Sequence, residues 1–294
     1  MSAKRRWGDR RDGRWVRDVP GLQVIMGHLL PNRTDSEVYL HERFDCTEVL
    51  KYIEQKNAAH PDYKTTLFHC LVMTVARMVR ERPKMNRFVA GRRTYERDEI
   101  QLAFVVKRRF TDNGEESLYV YTAKDDDTID TLSRKIVGDV RETRKSASST
   151  GGIDAVVDSF AKIPRVLLML IMRIILWLDF WGLVPNALRE GDPNFSSVFL
   201  TNLGSIQCDA VYHHLNNYGT NSIMISVGTI HKEELVMPDG HKEIRDVVNI
   251  GATVDERIAD GFYCARSIKL VKHVFAHPEL LDQPLGTSSG YDYK

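Results

Sequence analysis

The chain has 294 residues, 43% of them hydrophobic and 28% charged, with a net charge of +1. That suffices for one large domain or two small ones of ordinary globular composition. It excludes a global electrostatic field that would recruit nucleic acid. The first residues are locally basic (Lys4, Arg5, Arg6, Arg10, Arg11, Arg14, Arg17) and are interrupted by Asp9, Asp12 and Asp18. Residues 1–20 therefore read as a solvated arm or as an arm that docks on a neighbouring subunit. No secretory signal opens the chain, and Cys46, Cys70, Cys208 and Cys264 are far apart with no Cys-x-x-Cys pair. Reduced thiols and a cytoplasmic protein are expected. No metal-ligand spacing appears, since His213 and His214 are adjacent rather than three or four apart on a helix.

Residues 38–44 (VYLHERF) predict a strand. Asp45 to Glu48 (DCTE) has the spacing of a capping box, so a helix follows to about Asn57. Residues 66–81 are apolar almost all round and end before Pro83, which predicts a buried helix. Leu102 to Val106 and Ser117 to Thr122 read as paired strands around a turn at 112–116. The run at 125–128 (DDDT) caps a polar helix over 129–145. A Ser/Thr/Gly stretch at 146–152 reads as a flexible joint. Three further strands are expected at 197–200, 223–229 and 247–254, the last two separated by the turn MPDGH. A helix over about 260–276 closes the core, and residues 286–294 read as a loose tail. Strands and helices mix without regular alternation, which favours an α+β sheet with helices on one side.

The apolar segment 164–184 has the length of a membrane span. Arg173 and Asp179 lie inside it, each costing about 2.5 to 3.5 kcal/mol at a bilayer centre. On a helical wheel Arg165, Arg173 and Asp179 fall within an arc of about 120°, leaving a broad apolar face. The segment reads as a helix lying along something: the protein itself, a second subunit or a membrane surface.

Residues 254–281, with the acidic Asp255-Glu256 pair, Asp260-Gly261, a helix and then HPELL, resemble a known pattern. They are similar to the C-terminal signature of the dihydrolipoyl acyltransferase components of 2-oxoacid dehydrogenase complexes and to the end of chloramphenicol acetyltransferase. That pattern is His-x-x-x-Asp-Gly, and here Glu256 occupies the histidine position. Residues 196–210 (SSVFLTNLGSIQCDA) resemble the family's Ser/Thr-Asn-Leu-Gly turn, and residues 82–106 its Pro-x-x-Asn segment and the strand after it.

The resemblance spans about 20–140 and 195–282, leaving an apolar helical insert at about 150–192 within a catalytic domain of 21–285. It implies a chloramphenicol acetyltransferase-like, two-layer α+β sandwich with a mixed sheet. It also implies a trimer, or a multiple of one, with the Glu256 loop of one subunit facing a channel formed with the next. The core is expected to stand alone, as chloramphenicol acetyltransferase does.

The implied chemistry is acyl transfer from coenzyme A or a carrier thioester to a small acceptor. The thioester enters as co-substrate, and no tightly bound cofactor is expected. Such transfer needs a base for the acceptor and a donor for the oxyanion. The family's donor maps onto Thr201, which otherwise reads as a strand-end hydroxyl. Glu256 works as the base only where desolvation strengthens it, and a carboxylate also suits an ammonium acceptor. Asp260 is expected in a buried ion pair with an arginine. Gly261 is expected to let the helix start close to a neighbouring backbone. Asn202 and Gly204 are expected to shape the site. His213 and His214, in a polar stretch, read as surface residues or as part of the substrate site. Two other readings stay open: a catalytically inactive trimeric scaffold, and a peripheral membrane variant that uses the 164–184 helix.

Overall fold

The structure, a computed structural model, describes residues 5–107, 116–145 and 162–293. The turn expected at 112–116 falls, but for Glu116, outside the described residues, and so does the joint at 146–152. Strands β2 (Glu37–Asp45), β5 (Ile100–Lys107), β6 (Glu116–Ala123), β7 (Val198–Asn202), β8 (Ile223–Val236) and β9 (Lys242–Asp255) form one sheet in the order β2-β9-β8-β7-β5-β6. β7 runs parallel to both β5 and β8, while the outer pairings are antiparallel. The sheet is thus mixed, and β5, β7 and β8 end on the same side.

Among the described residues, four helices cover one face: α2 (Thr47–Ala59), α3 (Leu67–Glu81), α4 (Ile129–Lys145) and a C-terminal helix, Gly261–Ala276. α3 is buried from residue 69 to 79, and the Thr66 hydroxyl caps it by accepting from the His69 N–H at 3.3 Å. It stops at Arg82 because Pro83 offers no N–H to continue it. Val49, Leu71, Val75, Leu132 and Leu270 pack there against Leu102, Leu200, Ile225 and Ile250 of the sheet. The result is a two-layer α+β sandwich, as expected. The helix α2 forms without a capping box; Asp45 Oδ1 instead accepts from the Thr47 N–H at 3.0 Å.

The arm is only partly solvated: Arg10 and Gly13 are buried, while Arg5, Arg6, Trp7, Arg11 and Arg17 stay exposed. β1 (Gly13–Trp15) pairs with β4 (Arg93–Arg97), which pairs with β3 (Arg87–Ala90), in a second, three-stranded sheet. A short helix α1 (Gly21–Leu29) follows β1. Arg10 is buried and donates to Asp12 at 3.0 Å, to the Asp179 carboxylate at 3.1 Å and to the Asp179 carbonyl at 2.6 Å. The alternating charges of the arm supply the partners that make its burial tolerable. Nor is the tail loose: Ser289 donates twice to Glu81 at 2.8 Å. Arg77, fully buried, holds the carbonyls of Leu280, Gln283 and Thr287.

Helix α5 (Arg165–Trp181) lies along the protein by a narrow stripe, and Arg165 and Arg173 stay exposed. Asp179 turns inward to Arg10, so the protein-facing stripe lies on the Asp179 side, with Ile175 buried beside it. The apolar face points outward: Leu170 is 54% exposed, Ile174 49% and Trp177 58%. Among the described residues no helix is long and apolar enough to cross a membrane. Changing Leu170, Ile174 and Trp177 together to polar residues should shift unfolding by no more than about 0.5 kcal/mol per site, as exposed positions do. Thermal unfolding followed by circular dichroism checks this; a collapsed transition would place the helix in the core.

Candidate active site

Alternation along β7 sends Val198 and Leu200, both fully buried, to the helices, and Phe199 and Thr201 to the other face. Thr201 is half-buried, and its hydroxyl makes no hydrogen bond among the described residues. The turn after it is built by the two residues expected to shape it. Asn202 Oδ1 accepts from the Ser205 N–H at 3.2 Å, and the Ser205 hydroxyl donates to the Asn202 carbonyl at 2.8 Å. A Cβ on Gly204 would stand 2.4 Å from the Gly228 carbonyl oxygen, so only glycine lets the turn lie this close to β8.

The chain then returns across the sheet. Val211 approaches Gly251 so closely that a Cβ there would lie 2.6 Å from the Val211 carbonyl. The Val211 N–H donates to the Ser226 hydroxyl at 3.0 Å, and the fully buried Leu215 donates its N–H to Glu37. Between these two fixed points Tyr212 packs outward on Tyr39, His214 is exposed and His213 turns inward. His213 Nε2 is buried and has no hydrogen-bond partner among the described residues.

Thr201, Asn202 and His213 line one groove of about 470 Å³, which opens where β5 and β7 end. Thr66 and His69 reach it from the start of α3. Phe68, Phe104, Val106, Ile136, Phe199 and Met224 supply apolar walls. The groove thus brings together a hydroxyl and an imidazole Nε2 that have no partner among the described residues, with space for a hydrocarbon chain. Nothing in the sequence motif flagged His69; its signal is only its place at the first turn of a buried helix.

Glu256 lies elsewhere. Thr201 pairs with Ser226, which pairs with Gly251. Glu256 is thus two strands across and five residues along from Thr201, roughly 20 Å at ordinary strand spacings. Its side chain is exposed, while its N–H donates to the Ser36 carbonyl at 2.9 Å. It lines a second groove of about 330 Å³ with Glu42, Cys264, Gly261, Lys269 and Lys272. The burial needed to strengthen a carboxylate base is absent on one chain.

The neighbours of Glu256 also differ from expectation. The buried ion pair belongs to Asp255, not Asp260. Arg257 donates to both Asp255 oxygens at 2.8 and 2.7 Å, the Ser36 hydroxyl donates at 2.9 Å, and Arg33 stands 3.9 Å away. Asp260 is exposed and caps the C-terminal helix, hereafter α6, by accepting from the Tyr263 N–H at 2.8 Å. Around Gly261 a Cβ would meet nothing within 4 Å, so no backbone of the same chain requires glycine there.

Burial, with Asp260 adding to it, pushes the Cys264 thiol up to about 11, which removes it as a nucleophile at neutral pH. Burial, with His214 adding to it, lowers His213, so its imidazole is neutral at pH 7. Burial pushes His69 down to about 4. The folded value of His69 lies below its ordinary 6.5, so its contribution to stability is complete above pH 6.5 and is lost as pH falls towards 4. The full difference is worth about 3 kcal/mol. Denaturant unfolding between about pH 7 and 4.5 should give a shallower loss of stability for His69→Gln than for the unchanged chain. Equal slopes would contradict this.

Residues 185–282 match the family of 2-oxoacid dehydrogenases acyltransferase (catalytic domain). A lipoamide acyltransferase component of the branched-chain α-keto acid dehydrogenase complex of Bacillus subtilis (strain 168) is 23% identical over 235 residues. The match covers 78% of this chain but only 44% of that protein, so the chain spans less than half the length of the curated relative. Among solved structures, a probable dihydrolipoamide acetyltransferase from Listeria monocytogenes 4b F2365 is similar with a TM-score of 0.59 and 14% identity, covering 95% of this chain and 98% of the other. A chloramphenicol acetyltransferase is similar with a TM-score of 0.50 and 14% identity, covering 86% and 94%. The two solved structures establish the fold, and the resemblance read from the motifs holds.

Proposed function

We propose that this chain, similar in sequence to the acyltransferase catalytic domains of 2-oxoacid dehydrogenase complexes, transfers an acyl group from a coenzyme A or carrier thioester to a small nucleophile. One observation carries the reading: the Thr201 hydroxyl, without a partner among the described residues, at the polar end of an apolar groove at the end of β7. The apolar walls suit an acyl chain, and the hydroxyl can donate to the oxyanion that forms when the carbonyl is attacked. In this reading the chain works as a trimer, in which the exposed Glu256 of one copy faces a channel formed with the next. An exposed carboxylate there attracts an ammonium acceptor, so amines are favoured over neutral acceptors.

The outward apolar face of α5 favours a second role, association of the assembly with a lipid surface or with another chain. A thermal-shift and thiol-release panel tests the reading. It uses short, branched and long acyl-coenzyme A thioesters with amine, alcohol and thiol acceptors. Acceptor-dependent release of the coenzyme A thiol is expected. Neither binding nor release with any thioester would favour a non-catalytic scaffold. Light scattering that gives a stable monomer at micromolar concentration would contradict the trimer.

A further inference from the structure

We propose that His213 is the proton acceptor of the transfer, acting on the same groove as Thr201. The assignment rests on the acyltransferase reading above and deepens it. Position 256, where the resembling family has its histidine, carries a glutamate that is exposed and lies in a different groove of this chain. An imidazole is present instead beside the oxyanion donor, on the segment that returns over the sheet.

Three features suit His213 to the task. It is held between two fastenings, Val211 on Ser226 and Leu215 on Glu37, so the ring is positioned by the backbone on both sides. Its Nε2 is buried with no hydrogen-bond partner among the described residues, so no bond has to be broken for the ring to turn and present it to the proton of an acceptor in the groove. Burial keeps the ring neutral at physiological pH, the state a base must start from. The other imidazole of the groove, His69, lies deeper, and burial pushes it down to about 4. His214, one residue away, is exposed and its Nδ1 lies 3.3 Å from the Leu215 carbonyl.

The step balances for an acceptor that carries a lone pair; an ammonium drawn in by Glu256 first gives one proton to water and attacks as the neutral amine. The His213 imidazole takes the proton of the acceptor as the acceptor's lone pair bonds to the thioester carbonyl carbon. The carbonyl π electrons move to oxygen, which accepts from the Thr201 hydroxyl. Collapse of the tetrahedral intermediate re-forms C=O and breaks C–S, and the imidazolium returns its proton to the departing thiolate. Glu256 keeps the separate task of attracting a cationic acceptor.

The test compares His213→Asn, His213→Ala and Glu256→Gln with the unchanged protein, using the acyl-coenzyme A and amine that give the highest turnover in the panel. His213→Asn should lower kcat by about 100-fold or more, the usual worth of a general base, with the thermal shift by acyl-coenzyme A unchanged. Added imidazole should restore part of the turnover of His213→Ala, which a merely structural histidine would not allow. Glu256→Gln should raise KM for the amine more than it lowers kcat. A His213→Asn enzyme within about threefold of the unchanged kcat would overturn the assignment, since loss of a general base costs far more. So would a larger kcat loss in Glu256→Gln than in His213→Asn. An unchanged protein inert towards every thioester would instead overturn the acyltransferase reading itself, and this assignment with it.

Discussion

Thr201→Ala should lower acyl transfer by about 10- to 1000-fold, the range seen when one oxyanion donor is removed. The hydroxyl has no partner among the described residues, so it costs nothing to redirect towards a substrate oxygen. Its neighbours Phe199 and Met224 are apolar, so the acyl chain keeps its contacts when the hydroxyl is lost. Binding of the thioester, read as a thermal shift, should therefore change little. Thr201→Ser keeps the donor and should keep most of the turnover, whereas Thr201→Val keeps the shape without the donor and should behave as Ala does. Equal turnover for Thr, Ser and Val would reduce Thr201 to a strand-end residue.

Asp255→Ala should lower folding stability by about 3 to 5 kcal/mol, the cost of breaking a buried ion pair from one side. Asp255 is fully buried, and its carboxylate satisfies Arg257 and the Ser36 hydroxyl and faces Arg33. Without it two buried guanidinium groups lose their counter-charge. Arg257 also donates to the Leu30 carbonyl at 2.7 Å, so the loss extends to the segment that joins α1 to β2. A domain is typically stable by about 5 to 15 kcal/mol, so this is a large fraction. Chemical denaturation measures it directly; a loss below about 1 kcal/mol would mean the pair is no better than a surface one. Glu256→Ala, one residue further on and exposed, should be near neutral for stability.

Sequence patterns were legible where the physics is local. α3 was visible because an apolar run ends at Pro83, and the β8–β9 hairpin because MPDGH separates two strand patterns. The Thr-Asn-Leu-Gly turn and the Asp-Gly start of α6 pointed to the fold because each is a short local device. What stayed hidden depends on distant partners. Arg10 and Asp179 are 169 residues apart, so neither the docking of the arm nor the inward turn of α5 has a local signature. Asp255 and Asp260 look alike in sequence. Burial beside Arg257 makes one an ion-pair partner, and position at a helix start makes the other a cap. The small sheet was missed because β1 and β3 are too short to show a period. The inward direction of His213 follows from anchors on β8 and β2, which the polar sequence around it does not advertise. Likewise, only the strand register reveals that Thr201 and Glu256 occupy different grooves of one chain.

The most direct test of the central claim is a structure of the protein with a non-transferable acyl-coenzyme A analogue bound. The account predicts the analogue's carbonyl oxygen about 2.7 to 3.1 Å from Thr201 Oγ1, the distance of an oxyanion donor. The acyl chain should run along Phe199 and Met224, with the imidazole of His213 on the acceptor side of the carbonyl. An analogue seated with its carbonyl away from Thr201 would contradict the account.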